Sequence, residues 1–194
     1  MPSGKDATCL TVDNNLTNPQ LDNSRDNEYA ERVTATKNKP SGIQQEIKQN
    51  KPFRSLEEEV LIALLRTADQ VNRRGAEVMK PFDISPTQYN ALRILRGGGE
   101  KGLPCREIGE RMINHDPDIT RLLDRLVKRG LVERRREEKD RRVITTRITA
   151  AGLELLKKMD RPVSDYPREL LGELGEQRLQ SLLKALAAIR EKTA

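Results

Sequence analysis

The sequence predicts a mainly α-helical protein with one small β-ribbon, and two observations support this prediction. From residue 54 onward, apolar residues recur at the three- and four-residue spacing of amphipathic helices, and several of these runs begin with a capping residue. Between Leu131 and Ile148 the pattern changes to two short runs around a charged turn, the second rich in β-branched residues, as is typical of a β-ribbon. The 194 residues suffice for one domain and a tail.

The composition narrows the possible classes of function. Aromatic residues make up 3% of the chain, which disfavours a protein that stacks on single-stranded bases. One histidine, His115, and two distant cysteines, Cys9 and Cys105, disfavour a zinc site, and we expect no cofactor and no enzymatic activity. The sequence has neither a run of about eighteen apolar residues nor an apolar signal sequence, so we expect no membrane segment and a cytoplasmic location.

Residues 1–53 are polar and lack a sustained period, which predicts a disordered N-terminal tail. A capping box opens the first helix, because Ser55 is followed three residues later by Glu58, and Pro81 ends that helix. Ser85, with a glutamine three residues further on, opens the second helix, which ends at three consecutive glycines. These glycines follow a helix and lack the spacing of a nucleotide-binding loop, so we interpret them as a helix stop.

A short helix from Cys105 to Met112 is followed by Asp116 and Pro117, which we expect to cap and start the next helix. The apolar positions of that next helix have the spacing of one buried face: Ile119, Leu122, Leu123, Leu126 and Val127. Two short helices joined by a tight turn, the second polar on one face, form a helix-turn-helix, and the β-ribbon after it adds a wing. Residues 85–149 therefore predict a winged helix-turn-helix.

Positive charge is concentrated in this part of the chain. Residues 121–147 contain eleven basic and five acidic residues, a net charge of +6, which equals the net charge of the whole chain. Localised positive charge indicates nucleic-acid binding, because neutralising phosphates releases counterions. A charge run is also compatible with a merely solvated surface, and the helix-turn-helix context favours nucleic acid.

The helix after the wing contains Pro162 and Pro167, which we expect to kink or break it, and a last helix is expected at about residues 176–190. The helices in residues 54–84 and 150–194 carry apolar stripes that a winged module alone does not need. We therefore predict that they form a dimerisation region, with packing inside a monomer as the alternative. The predicted fold class is mainly α with a small β-wing, a winged helix-turn-helix between N- and C-terminal dimerisation helices.

From residue 55 to the end, the chain resembles the MarR family of bacterial transcription regulators. The resemblance lies in six motifs in a fixed order: Ser85–Tyr89, Ile108–Gly109, Ile119–Leu126, Gly130–Arg134, Asp140–Arg142 and Ile148–Gly152. The combination is specific, although each motif alone is not. It implies a triangular dimer whose terminal helices interlock and whose wings flank the DNA duplex.

The resemblance implies a set of DNA-contacting residues: Asp118, Thr120, Arg121, Arg125, Arg141 and Arg142. Thr120 and Arg121 would face the major groove, where arginine contacts to guanine are the commonest specific readout. Arg142, with its neighbour, would enter the minor groove, where narrow A·T tracts attract arginine. Asp140 would hold the wing arginine in place or serve as a plain turn residue. Asp118 would either stabilise the helix start or accept a hydrogen bond from cytosine.

The resemblance also implies a signal that the protein senses. Many members of this family bind small aromatic or anionic ligands, and others sense through a reactive cysteine. We expect a pocket for an anion near four residues: Arg73, Arg74, Phe82 and Tyr89. Cys105, next to Arg106, is either a reactive thiol or a small buried residue.

Together these features predict a sequence-specific, double-stranded DNA-binding transcription regulator. We expect a homodimeric repressor that binds a pseudo-palindromic operator and is released by a small-molecule ligand. The alternative is a winged-helix module for protein–protein interaction without specific DNA readout. The concentrated positive charge disfavours that alternative, because the cores of protein interfaces are depleted in lysine and glutamate.

Overall fold

The structure is a computed structural model that describes residues 41–114, 118–136 and 144–193. It divides into two compact units, Met1–Thr67 and Ala68–Ala194, and the boundary falls inside the first long helix. Among the helices that the structure describes, none combines the length and the apolar character needed to span a lipid bilayer.

The described residues form seven α-helices and three short β-strands. In chain order these are α1 (Gly42–Glu46), α2 (Leu56–Met79), α3 (Pro86–Gly98), β1 (Leu103–Pro104), α4 (Cys105–Arg111), α5 (Ile119–Lys128), β2 (Val132–Arg136), β3 (Ile144–Ile148), α6 (Ala150–Leu171) and α7 (Glu176–Thr193). The predicted class, mainly α with a small β-wing, is confirmed.

Helix α1 corrects the predicted extent of the disordered tail. The hydroxyl of Ser41 caps this helix by accepting a hydrogen bond from the N–H of Gln44 at 3.3 Å. Further along, Phe53 is only 6% exposed. Residues 41–53 are therefore ordered, and only residues 1–40 of the predicted tail lie outside the described residues. The sequence did not establish this helix, because five residues are too few to show a sustained period.

The start of α2 is capped almost as predicted. The Ser55 hydroxyl accepts the N–H of Glu58 at 3.3 Å, whereas the Glu58 carboxylate accepts the N–H of Arg54 at 2.7 Å instead of that of the serine. The carboxylate still accepts a hydrogen bond from a backbone N–H beside the helix start, so the two side chains together satisfy two backbone donors. Within the same unit, Arg66 Nε lies 3.9 Å from a carboxylate oxygen of Glu46, which links α2 to α1.

The core of the second unit joins the three helices of the winged module to α6. The largest fully buried apolar side chains come from all four helices: Leu92, Leu95, Ile108, Leu123, Leu126, Leu156 and Met159. Burial of this size supplies most of the driving force for folding. It also fixes how α5 is rotated, and so decides which of its residues face outward.

Helix α3 confirms the second capping prediction in full. The Ser85 hydroxyl accepts the N–H of Gln88 at 3.2 Å, and the Gln88 side chain accepts the N–H of Ser85 at 3.0 Å. Pro86 occupies the first turn, where its missing N–H costs nothing. The helix ends at the predicted glycines, and Gly99 has a φ of +60°, which favours glycine.

The β-ribbon belongs to a three-stranded antiparallel sheet with strand order β1-β3-β2. Val132 pairs with Ile148, at the end of the ribbon next to α6. The sequence did not predict β1, because two residues show no alternation; this strand exists through its pairing with β3. At Gly102, φ is +70° and a Cβ atom would lie 2.6 Å from the carbonyl oxygen of Thr146, so only glycine permits this close approach.

The prediction that Pro162 and Pro167 kink or break helix α6 is wrong as regards a break. It runs unbroken from Ala150 to Leu171, with Pro162 and Pro167 inside. Contacts on both sides of Pro162 hold it: Met159 is fully buried, and the Tyr166 hydroxyl donates to the carbonyl of Val71 in α2 at 2.7 Å. Burial raises the pKa of that hydroxyl, which keeps it a donor. Tertiary packing thus outweighs the local cost of proline, about 3 kcal/mol per interior position.

Candidate nucleic-acid interface

Helices α4 and α5 form the helix-turn-helix that the sequence predicts. A buried side chain of α3 holds the start of the turn between α4 and α5. Asn90 is 5% exposed, and its side-chain oxygen accepts the N–H of Ile113 at 2.9 Å. On α5, three leucines face the core, and Thr120, Arg121 and Arg125 are exposed. A polar helix face backed by a rigid core is what insertion into a DNA groove requires.

The N-terminus of α5 is capped by Asp118, not by Asp116. The Asp118 carboxylate accepts the N–H of Arg121 at 3.2 Å, and its other oxygen lies 3.0 Å from Arg121 Nε. The sequence offers two aspartates within three residues, so local preference alone does not choose between them. Asp116 and Pro117 lie outside the described residues. Of the two readings of Asp118, this geometry supports the helix-start role.

Arg121 and Arg125 border one notch of about 270 Å³ at the side of the exposed face. Its walls come from α5 and from the start of α3: Ser85, Thr87, Gln88, Asp118, Arg121, Leu122 and Arg125. The two arginines lie one helical turn apart, and the Arg121 side chain is 79% exposed. The notch therefore presents guanidinium groups to an incoming anion, as contact with a phosphate backbone requires.

An arginine of β2 that the sequence analysis did not single out joins the ribbon to α5. Arg134 Nη2 lies 2.9 Å from the carboxylate of Asp124 and donates to the carbonyl of Thr120 at 3.4 Å. The contact couples the wing to the exposed face of α5. No local signal marks it, because the partners lie on different elements. The predicted wing-tip residues Asp140, Arg141 and Arg142 lie outside the described residues.

Cys105 lies at the start of α4, beside the same face. It is half-buried, and its Sγ atom lies 3.8 Å from the hydroxyl oxygen of Thr120. Arg106 turns away from it to Glu110, whose carboxylate lies 2.8 Å from its Nε atom. Hydrogen bonding and charge pairing with Glu110 raise the pKa of Arg106.

A second depression, of about 700 Å³, lies between α2, α3 and the end of α5. Its walls are Arg73, Ala76, Glu77, Lys80, Asp83, Ile84, Ser85, Pro86, Gln88 and Arg129. Of the four residues predicted for the ligand pocket, Arg73 lines this groove and the other three do not. Arg74 pairs with Glu77 at 2.7 Å, and Phe82 and Tyr89 pack half-buried against the core. Phe82 and Tyr89 therefore belong to the edge of the core and do not line the groove.

Comparison with known proteins identifies the family. A sequence model of the MarR family matches residues 82–143. The chain is 39% identical to a MarR transcription factor from Planctomyces limnophilus, whose crystal structure it matches with a TM-score of 0.54, over 70% of this chain and 98% of that one. It is also 30% identical over 141 residues to the transcriptional regulator TtmR of Methylorubrum extorquens. The aligned segment covers 71% of this chain and 69% of TtmR.

The chain belongs to the MarR family. The resemblance inferred from the six motifs is thus confirmed, and so is the winged helix-turn-helix fold. One further structural match is the transcriptional repressor CouR bound to a 23-mer DNA duplex, 28% identical, with a TM-score of 0.59 over 66% of this chain and 90% of that one. The structural matches to the Planctomyces limnophilus protein and to CouR each cover about two thirds of this MarR-family chain.

Proposed function

We propose that this MarR-family regulator is a homodimeric repressor that binds a pseudo-palindromic operator in double-stranded DNA. One observation carries the proposal: α5 exposes Thr120, Arg121 and Arg125 on a face that the buried leucines and the ribbon hold rigid. A relative of the same fold, CouR, has been solved on duplex DNA. The function is one of binding rather than catalysis, and a protein that acts on the chromosome of a bacterial cell works in the cytoplasm.

Each residue receives a role from its position. Arg121, oriented by Asp118, contacts guanine in the major groove beside Thr120, and Arg125 contacts backbone phosphate from the notch. The wing tip follows from the family motif: Arg141 and Arg142 take the minor groove, and Asp140 orients them. These assignments are separable by experiment, because base contacts determine sequence preference and phosphate contacts determine the salt dependence.

The apolar surface supports assembly into a dimer. In the second unit, α7 leaves Leu182 43% exposed, Leu183 64% exposed and Ile189 41% exposed. In the first unit, α2 exposes Leu56, Val60, Leu61 and Leu65, each by half or more. A row of large exposed apolar residues on a helix is typical of a surface that a partner covers. A second copy of the chain provides two identical recognition helices for two half-sites.

We propose the groove between α2, α3 and α5 as the site of the releasing ligand. Its walls carry three basic residues, Arg73, Lys80 and Arg129, against two acidic ones, Glu77 and Asp83, and Ala76 and Pro86 supply apolar surface. A small anion with an aromatic or other apolar body matches both. The proposed site shares Arg73 with the pocket predicted from the sequence, and its other lining residues are different.

The test is selection of bound fragments from genomic DNA by the purified full-length chain, compared with Arg121→Ala and with Arg161→Ala. Arg161 lies on α6 and its side chain is 93% exposed, so its loss changes the net charge equally, away from α5. We expect an inverted repeat that the control retains and Arg121→Ala loses, with a penalty of about 1–3 kcal/mol per half-site. Fragments without a shared motif, bound equally by all three proteins, would favour the protein-interaction module instead.

A further inference from the structure

A single side chain connects the end of the recognition helix α5 to the end of α2. Arg129 is the C-cap residue of α5, and its guanidinium donates to the backbone carbonyl of Asp83. A second nitrogen of the same group lies 3.2 Å from the Asp83 carboxylate. The two residues are 46 positions apart, and Asp83 directly follows the short 3-10 turn Lys80–Phe82 that ends α2.

The Asp83 end of this contact is held firmly by the backbone. Its φ is +52°, in the left-handed region, and its N–H donates to the carbonyl of Lys80 at 3.0 Å. The next residue, Ile84, is 5% exposed and belongs to the core. Aspartate and asparagine are the non-glycine residues that tolerate this conformation best. These contacts hold the backbone of Asp83, whereas its carboxylate, which pairs with Arg129, is 96% exposed.

The other end of the contact lies where α5 is least buried. Leu122, Leu123 and Leu126 anchor the helix in the core, but Val127 is 37% exposed and Lys128 is also exposed. Arg134 supports the opposite end of the helix, near Thr120. Two side chains therefore attach the C-terminal end of α5 to the rest of the unit: Arg129 contacts Asp83, and the Thr149 hydroxyl donates to the carbonyl of Gly130 at 2.7 Å.

We propose that Arg129 is a positioning residue for DNA recognition, acting through Asp83 to hold the angle of α5 rather than by contacting DNA. The inference rests on the proposed DNA-binding function. A misplaced helix loses base contacts on its exposed face even when every contacting residue is present, because readout geometry tolerates little displacement.

The substitution Asp83→Asn separates this role from simple electrostatics. It preserves the left-handed conformation and removes one negative charge. Charge alone would leave the DNA affinity unchanged or raise it, because the protein becomes more positive. Loss of the ion pair to Arg129 would instead lower the affinity. Only the positioning role therefore predicts weaker DNA binding by Asp83→Asn.

The experiment measures the affinity of the full-length chain for its selected operator by fluorescence anisotropy, as a function of salt. We expect Asp83→Asn to weaken binding about threefold to fivefold and Arg129→Met, which loses both contacts, about tenfold. The controls Glu154→Gln and Arg161→Met make the same charge changes on α6. The slope of affinity against salt for Arg129→Met should match that of Arg161→Met, whereas a lost phosphate contact would lower it by about 0.9.

Three results would overturn the inference while the wild-type chain still binds its operator. They are unchanged or tighter binding by Asp83→Asn, equal affinities for Arg129→Met and its control, or a reduced salt slope for Arg129→Met alone. Thermal unfolding of each variant checks that the fold is intact, and Arg129→Lys should recover part of the affinity because it retains the charge. Absence of operator binding by the wild-type chain would contradict the proposed function itself.

Discussion

Gly152→Ala should destabilise this protein, although the same change in most helices is stabilising. Gly152 lies in the first turn of α6, and a Cβ atom there would lie 2.3 Å from the carbonyl oxygen of Leu131 and 2.7 Å from Cγ1 of Ile148. The Leu131 carbonyl also accepts the N–H of Thr149 at 3.1 Å, so the backbone cannot move away without breaking that bond. The substitution therefore forces apart the base of the ribbon and the start of α6.

The magnitude follows from two opposing terms. Overpacking against backbone costs about 1–3 kcal/mol, and the gain in helix propensity from glycine to alanine is about 1 kcal/mol. A net loss of about 1–2 kcal/mol is expected, which lowers the melting temperature by about 2–8 °C for a domain of this size.

Gly109→Ala is the matched control. Gly109 lies inside α4, and nothing stands within 4 Å of the position its Cβ would take. The same substitution there should raise the free energy of unfolding by about 0.5–1 kcal/mol. Thermal and urea unfolding of both variants measures the difference. If Gly152→Ala were as stable as Gly109→Ala, the close approach of α6 to the ribbon would be wrong.

Three further predictions concern elements that position the DNA-binding face. Removing the cap of α5 by Asp118→Ala should cost about 1 kcal/mol in unfolding free energy, and an unchanged urea midpoint would contradict its capping role. A double-mutant cycle of Arg134→Met with Asp124→Asn should give a coupling of about 0.5–1 kcal/mol in operator affinity, because the pair is partly exposed; additive effects would show that it does not position the wing. Pro162→Ala should stabilise α6 by about 1–3 kcal/mol in a thermal unfolding assay, since it restores a helical N–H donor. A loss of stability would mean that packing of the proline ring stabilises the protein more than the restored hydrogen bond does.

Local sequence predicts well the contacts between residues that are close together in the chain. The reciprocal cap of Ser85 and Gln88 needs only three residues of spacing, and the structure forms it as predicted. Gly130 has a φ of +67°, which a glycine directly after a helix indicates. The buried face of α5 follows from its helical period, except that Val127, predicted on that face, is 37% exposed.

The sequence predicted which side chains of α5 are exposed at the candidate interface, but not the contacts that hold them in place. Thr120, Arg121 and Arg125 lie on the exposed face of α5, where their spacing put them. The supporting contacts, such as Arg134 with Asp124, join residues that no periodicity relates. The groove takes its walls from three helices, so only one of the four residues predicted for the ligand pocket, Arg73, lies among its lining residues.

By itself, the sequence determined the fold class, the family, the caps of α2 and α3, and the polar face of α5, because these depend on short-range spacing and on motif order. Tertiary structure alone decided the rest. Strand β1 exists because Gly102 lets it approach β3. Helix α6 continues past Pro162 because the burial of Met159 before it and the hydrogen bond of Tyr166 to Val71 after it outweigh a missing hydrogen bond. Arg129 meets Asp83 only because folding brings the ends of α5 and α2 together. Local preferences of about 1 kcal/mol per residue set the elements, and the larger free energy of burial decides where they end and meet.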